Sequence, residues 1–81
     1  MEKLTLDKLN IGDTVLIKKI NTQGDIRRRF FDIGLIEGTK VTCMLKNSDS
    51  SLLAYLVRGA VIAIRKEDLN SIIVEYVGGN L

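Results

Sequence analysis

Only one stretch of this sequence has a helical period; the rest of its apolar content comes in short β-branched or alternating runs. That imbalance constrains the fold more than any other feature. Ile26, Phe30 and Ile33 recur at i, i+4 and i+7, one face of a helix. Arg27, Arg28, Arg29 and Asp32 occupy most of the other faces. Asp25 stands where a side-chain cap starts a helix, and Gly34 follows where a left-handed stop favours glycine. The pattern predicts a two-turn amphipathic helix over 26–33 with an arginine-rich outer surface. Phe31 falls between the faces and has two readings, a core residue, which is favoured, or an exposed anchor beside the arginines.

The remaining segments read as strands. Thr14-Val15-Leu16-Ile17-Lys18-Lys19-Ile20 is rich in β-branched residues. Its alternation slips at the two lysines, which predicts a bulge or an edge. Val41, Cys43 and Leu45 alternate with Thr42, Met44 and Lys46, a half-buried strand with the first three inward. Residues 52–57 and 60–65 form a hairpin around Arg58-Gly59. A last strand over 71–77 places Ile72, Val74 and Tyr76 on one side. Single helical turns are expected near 6–9 and 66–69, and 78–81 as a frayed tail. Five strands in about sixty residues predict a small closed or nearly closed barrel, because closure hides edges the chain has few helices to cover. The fold class is therefore all-β, with one two-turn helix and one or two helical turns. Val41, Leu53, Ile62, Ile64 and Val74 are its expected core.

Composition limits the chemistry. A length of 81 residues fits a single domain over 1–81. The one cysteine, Cys43, cannot form an intramolecular disulfide. Charges interrupt the N-terminus every few residues, so no signal peptide is expected. The longest apolar run, 52–57, is far shorter than the roughly 20 residues of a spanning helix. A soluble, cytoplasmic protein is expected. Histidine is absent, which removes the commonest general base and the commonest transition-metal ligand. Cys43 has no base to activate it and reads as a small hydrophobe. Glu67-Asp68 are adjacent and favour the start of their own helical turn. No catalytic residue is assigned, and no enzyme is expected. No His, Cys or carboxylate cluster at ligand spacing is visible, so no metal ligand or cofactor is assigned from the residues.

The basic feature is stronger. Between Lys18 and Arg29 there are five positive charges against Asp25 alone. A solvated helix face is one reading. The other is a docking surface for an acidic partner, formed by Arg27, Arg28 and Arg29, whose planar guanidinium forks suit carboxylates and phosphates.

The order of these segments resembles the FeoA family, the small cytoplasmic partner of the ferrous-iron transporter FeoB. Arg28-Arg29-Phe30-Phe31-Asp32-Ile33-Gly34-Leu35-Ile36-Glu37-Gly38-Thr39-Lys40-Val41 is similar to that family's basic helix, apolar pair and Gly-Leu-x-x-Gly entry into a strand. Val57-Arg58-Gly59-Ala60-Val61-Ile62-Ala63-Ile64-Arg65-Lys66-Glu67-Asp68-Leu69 is similar to its terminal hairpin, and Leu6-x-x-Leu9-x-x-Gly12-Asp13 to its opening. Phe30-Phe31 stands where the family usually has aliphatic residues. The resemblance implies an SH3-like barrel with an inserted helix. It also implies accessory service to Fe(II) import at the inner face of the membrane, through contact with a GTP-binding FeoB transporter. Weak Fe(II) binding is implied by the family alone.

An RNA-binding module is the rival reading, since 11–17 through Gly24-Asp25 loosely resembles the KOW pattern. A net charge of +2 and the scarcity of aromatic residues weigh against nucleic acid.

Overall fold

A computed structural model describes residues 4–78 of the chain. Its strands are β1 (Thr14–Ile20), β2 (Lys40–Lys46), β3 (Leu52–Val57), β4 (Ala60–Arg65) and β5 (Ile72–Gly78), with one helix, α1 (Asp25–Asp32). Short 3-10 turns cover Leu6–Lys8 and Lys66–Asp68. The strands form one antiparallel sheet in the order β4-β3-β2-β1-β5. The expected strand bounds hold to within one residue. Gly78, expected in a frayed tail, instead ends β5, and 79–81 lie outside the described residues.

The sheet has three register shifts; one leaves Val77 unpaired near the end of β5, and the other two decide which side chains of β1 and β2 face inward. In β1, Ile17 lies opposite Val74 and Lys19 opposite Ile73, so Lys18 is the extra residue at the expected slip. The reset returns Ile20 to the interior opposite Ile72 after two solvent-facing lysines. In β2 a second bulge falls between Cys43 and Leu45. Cys43 pairs with buried Tyr55, whereas Leu45 pairs with Ala54 and is 62% exposed. The inward assignment of Leu45 is thereby corrected: the extra residue, Met44, reverses the alternation.

The curled sheet encloses Val15, Ile17, Val41, Cys43, Leu53, Tyr55, Val57, Ile72 and Val74, closed at one end by Leu6 and Leu9. Ile62 is only partly buried, unlike its expected companions. Tyr76 lies opposite Val15 but at the open rim, where its hydroxyl donates to Asp13.

Helix α1 enters and leaves on glycines. Gly24 is its N-cap at φ +73°, without a side-chain cap bond. Asp25 is therefore not the cap expected; it sits in the first turn, where its carboxylate meets only the favourable helix dipole. At the far end Gly34 takes φ +95°. Its N–H donates to the Phe31 carbonyl at 3.1 Å, and the Leu35 N–H to that of Phe30 at 2.8 Å. This reciprocal pair is the Schellman stop, with its apolar contact supplied by buried Phe30 and Leu35.

Candidate functional site

The arginines of α1 are not equivalent. Phe30 drives into the core and Ile26 and Ile33 pack half-buried against it, which fixes the roll of the helix. Arg27 is consequently turned toward the end of β1, and its Nη1 donates to the Ile20 carbonyl at 2.8 Å. Arg28 and Arg29 are exposed and have no ion pair among the described residues. Lys18 belongs to a different surface, 3.8 Å from Glu75 on β5. The five charges of the basic run thus separate into one tethered arginine, Lys18 paired on another surface, and Lys19, Arg28 and Arg29 without an ion pair among the described residues.

Of the two readings of Phe31 the structure corrects the favoured one: the ring is 68% exposed and stands beside the arginines, not in the core. One residue beyond Phe30 is a rotation of about 100° on a helix, so both rings cannot face inward. Phe31 borders a shallow hollow with Ile20, Arg27, Leu35, Ile36 and Glu37. An exposed aromatic beside arginines is the composition of an interface anchor. The helical period already held that signal.

A second hollow was not foreseen. Between α1 and β4 runs a groove of about 220 Å³, walled by Ile26, Phe30 and Ile33 on one side and Ile62, Ala63 and Ile64 on the other. Sequence alone does not place a helix against a particular strand edge, so nothing at the level of motifs marked it.

Cys43 is fully buried. Burial pushes its thiol up, nearby Lys46 opposes the shift and Asp13 adds to it, so the protonated form dominates at neutral pH. Among the described residues no three His, Cys, Asp or Glu side chains converge as a metal site would require. No helix there is long and apolar enough to cross a membrane.

The FeoA domain profile matches residues 4–76. A fusion of Fe(2+) transport protein A with the Fe(2+) transporter FeoB from Porphyromonas gingivalis is 25% identical over 77 residues, 95% of this chain. The chain spans only 9% of that fusion's length. The solution structure of a FeoA-like protein from Clostridium acetobutylicum superposes with a TM-score of 0.85 at 26% identity, covering 100% of this chain and 95% of the other. Zinc-complexed FeoA of Stenotrophomonas maltophilia, described as a prokaryotic SH3 domain protein, superposes with a TM-score of 0.73 at 20% identity over 89% of both chains. That likeness shows the fold, an SH3-like one. With the profile matched across nearly all the described residues, the chain belongs to the FeoA domain family.

Proposed function

We propose that this chain is a non-catalytic accessory protein of ferrous-iron uptake that docks on the cytoplasmic part of a GTP-binding FeoB transporter through the outer face of α1. The observation that carries the reading is the Porphyromonas gingivalis fusion, in which a related domain and FeoB share one polypeptide. Fusion fixes two modules at high effective concentration, a gain where they act on one another. Arg28 and Arg29 supply charge-assisted contacts to acidic groups and Phe31 supplies the apolar anchor. Arg27 belongs to the same face but is engaged by Ile20. Its role is to hold the helix. A docked module shifts the transporter only as far as it binds one conformation better than another.

Affinity for the cytoplasmic part of FeoB, measured by pull-down and then by titration calorimetry, tests this. Arg28→Glu with Arg29→Glu lowers affinity at least about tenfold, since each reversal costs roughly a surface ion pair and adds repulsion. The circular dichroism of the variant stays that of the wild type. Unchanged affinity in the folded variant places the contact elsewhere.

A further inference from the structure

The sheet has two edges, and the chain treats them differently. The outer edge of β5 is covered: Thr5 bridges to Ile73, and the Val74 N–H donates to the Leu4 carbonyl at 2.9 Å. β4 pairs with β3 and with no other strand among the described residues. Arg58 and Gly59 both have positive φ, the signature of a two-residue type I′ hairpin. Val57 and Ala60 are then a hydrogen-bonded pair, so Ala60, Ile62 and Ile64 turn their backbone groups toward β3. The Lys66 N–H continues that alternation by donating to the Ser51 carbonyl at 2.8 Å. The N–H and C=O groups of Val61, Ala63 and Arg65 therefore point away from the sheet. No backbone partner outside β3 meets them among the described residues.

This edge lacks the usual protection. Ala60-Val61-Ile62-Ala63-Ile64-Arg65 has no proline and no charge before its last residue. The groove against α1 runs directly alongside it. A helix set beside a free edge strand is the geometry that accepts an extended peptide as an added strand. The ladder supplies affinity, and the groove takes alternate side chains. Charge selects the occupant. Among the described residues Arg29 stands on the helix wall without an ion pair, and the one carboxylate lining the groove, Asp68, is already held by Arg65 at 3.7 Å. A second copy offering its own β4 would set its arginine helix against this one, like charge facing like.

We infer that β4 and α1 form a binding site for an extended acidic segment of another protein. Its backbone pairs with Val61, Ala63 and Arg65, its apolar side chains enter the groove at alternate positions, and its carboxylates meet Arg29. The site borders the proposed FeoB contact and shares Arg29 with it, but uses neither Arg28 nor Phe31.

The probe is a capped octapeptide of alternating valine and glutamate, titrated into the isotope-labelled full chain. Saturation slows amide exchange at Val61, Ala63 and Arg65 by about tenfold or more, as pairing protects edge amides. Ala63→Pro removes an outward N–H and spares the β3 ladder, a position where an edge strand tolerates proline. It weakens binding about tenfold, the equivalent of one hydrogen bond whose acceptor loses its partner. Arg29→Glu weakens it by a similar factor, and the valine–lysine octapeptide binds the wild type more weakly than the valine–glutamate one. Unslowed exchange at those amides at millimolar peptide overturns the inference, and so does equal binding of the lysine peptide. Full affinity in a folded Ala63→Pro chain does the same. Protection that rises with protein concentration without peptide assigns the edge to a second copy instead. If Ala63→Pro does not fold, the wild-type exchange pattern decides. A FeoB pull-down lost in Arg28→Glu but kept in Ala63→Pro leaves the proposed function standing whatever the peptide does.

Discussion

The side chain of Arg58 closes over Gly34, its Cδ 2.7 Å from where a Cβ on that glycine would lie. The hairpin turn between β3 and β4 thus packs on the stop of α1, and the φ of +95° favours glycine there whatever the Arg58 stem does. Gly34→Ala is expected to destabilise by about 1–2 kcal/mol from left-handed strain, read as a lower urea midpoint at unchanged m. The Arg58 stem is flexible, so the steric share is small and separable. In an Arg58→Ala background the cost of Gly34→Ala falls toward the strain alone. A Gly34→Ala chain as stable as wild type would mean that this Schellman stop does not fix the end of α1.

Tyr55 joins the hairpin to the N-terminal turn. Its ring is fully buried and its hydroxyl donates to the Leu6 carbonyl at 2.7 Å. Tyr55→Phe leaves that buried carbonyl unpaired, at a cost of about 1–3 kcal/mol. Burial also raises the phenol far above its usual value, with Cys43 and Asp7 adding to the shift. The Cys43 thiol is raised too, by burial first. Both groups hold their protons more tightly folded than unfolded. The stability they confer is therefore complete below the unfolded values and declines as pH rises through and beyond them. On the alkaline side, unfolding free energy should stay level from neutrality to about pH 8 and fall from about pH 9 upward. Tyr55→Phe should make the fall above about pH 10 shallower. An unchanged alkaline slope would remove Tyr55 as its source.

Arg27 and Arg28 are neighbours with different work. Arg27→Ala loses the bond to the Ile20 carbonyl and should cost about 0.5–1.5 kcal/mol. Arg28→Ala touches nothing in the fold and should stay within about 0.5 kcal/mol of wild type. Thermal melts of the two single variants suffice. Equal melting temperatures would mean that the Arg27 bond does not hold the helix against β1.

How far the sequence could be read follows from the same local physics. The strand bounds were legible because Gly, Asn, Asp and Ser clusters punctuate each apolar run. The slip at Lys18 was legible because two consecutive lysines cannot both face a core. The bulge at Met44 was not: Val41, Cys43 and Leu45 alternate without a flaw, and only the pairing with β3 shows that one residue is extra. Asp25 read as a cap because its residue type favours that position, yet Gly24 takes it through a left-handed backbone. On the site, the arginine face could be read from periodicity. The division of labour within it could not, since it depends on where β1 ends in space. The groove beside β4 exists only once α1 has been laid along that edge.

The two phenylalanines make the sharpest test of how α1 is rolled. Phe30 is 4% exposed and Phe31 68%, although they are adjacent and chemically identical. Phe30→Ala opens a cavity under the helix and should cost about 3–5 kcal/mol, enough to threaten folding in a domain this small. Phe31→Ala removes a ring that stands mostly in water and should shift stability by no more than about 0.5 kcal/mol. Phe30→Leu, which keeps most of the volume, should recover the larger part of the loss and supplies a folded protein if the alanine variant is too weak to measure. The roll given by the periodicity of Ile26, Phe30 and Ile33 therefore demands a large difference in melting temperature between the two alanine variants. Equal melting temperatures, or a greater loss at Phe31, would mean the helix presents another face to the barrel. The exposed anchor beside Arg28 and the apolar wall of the β4 groove would both be lost with it.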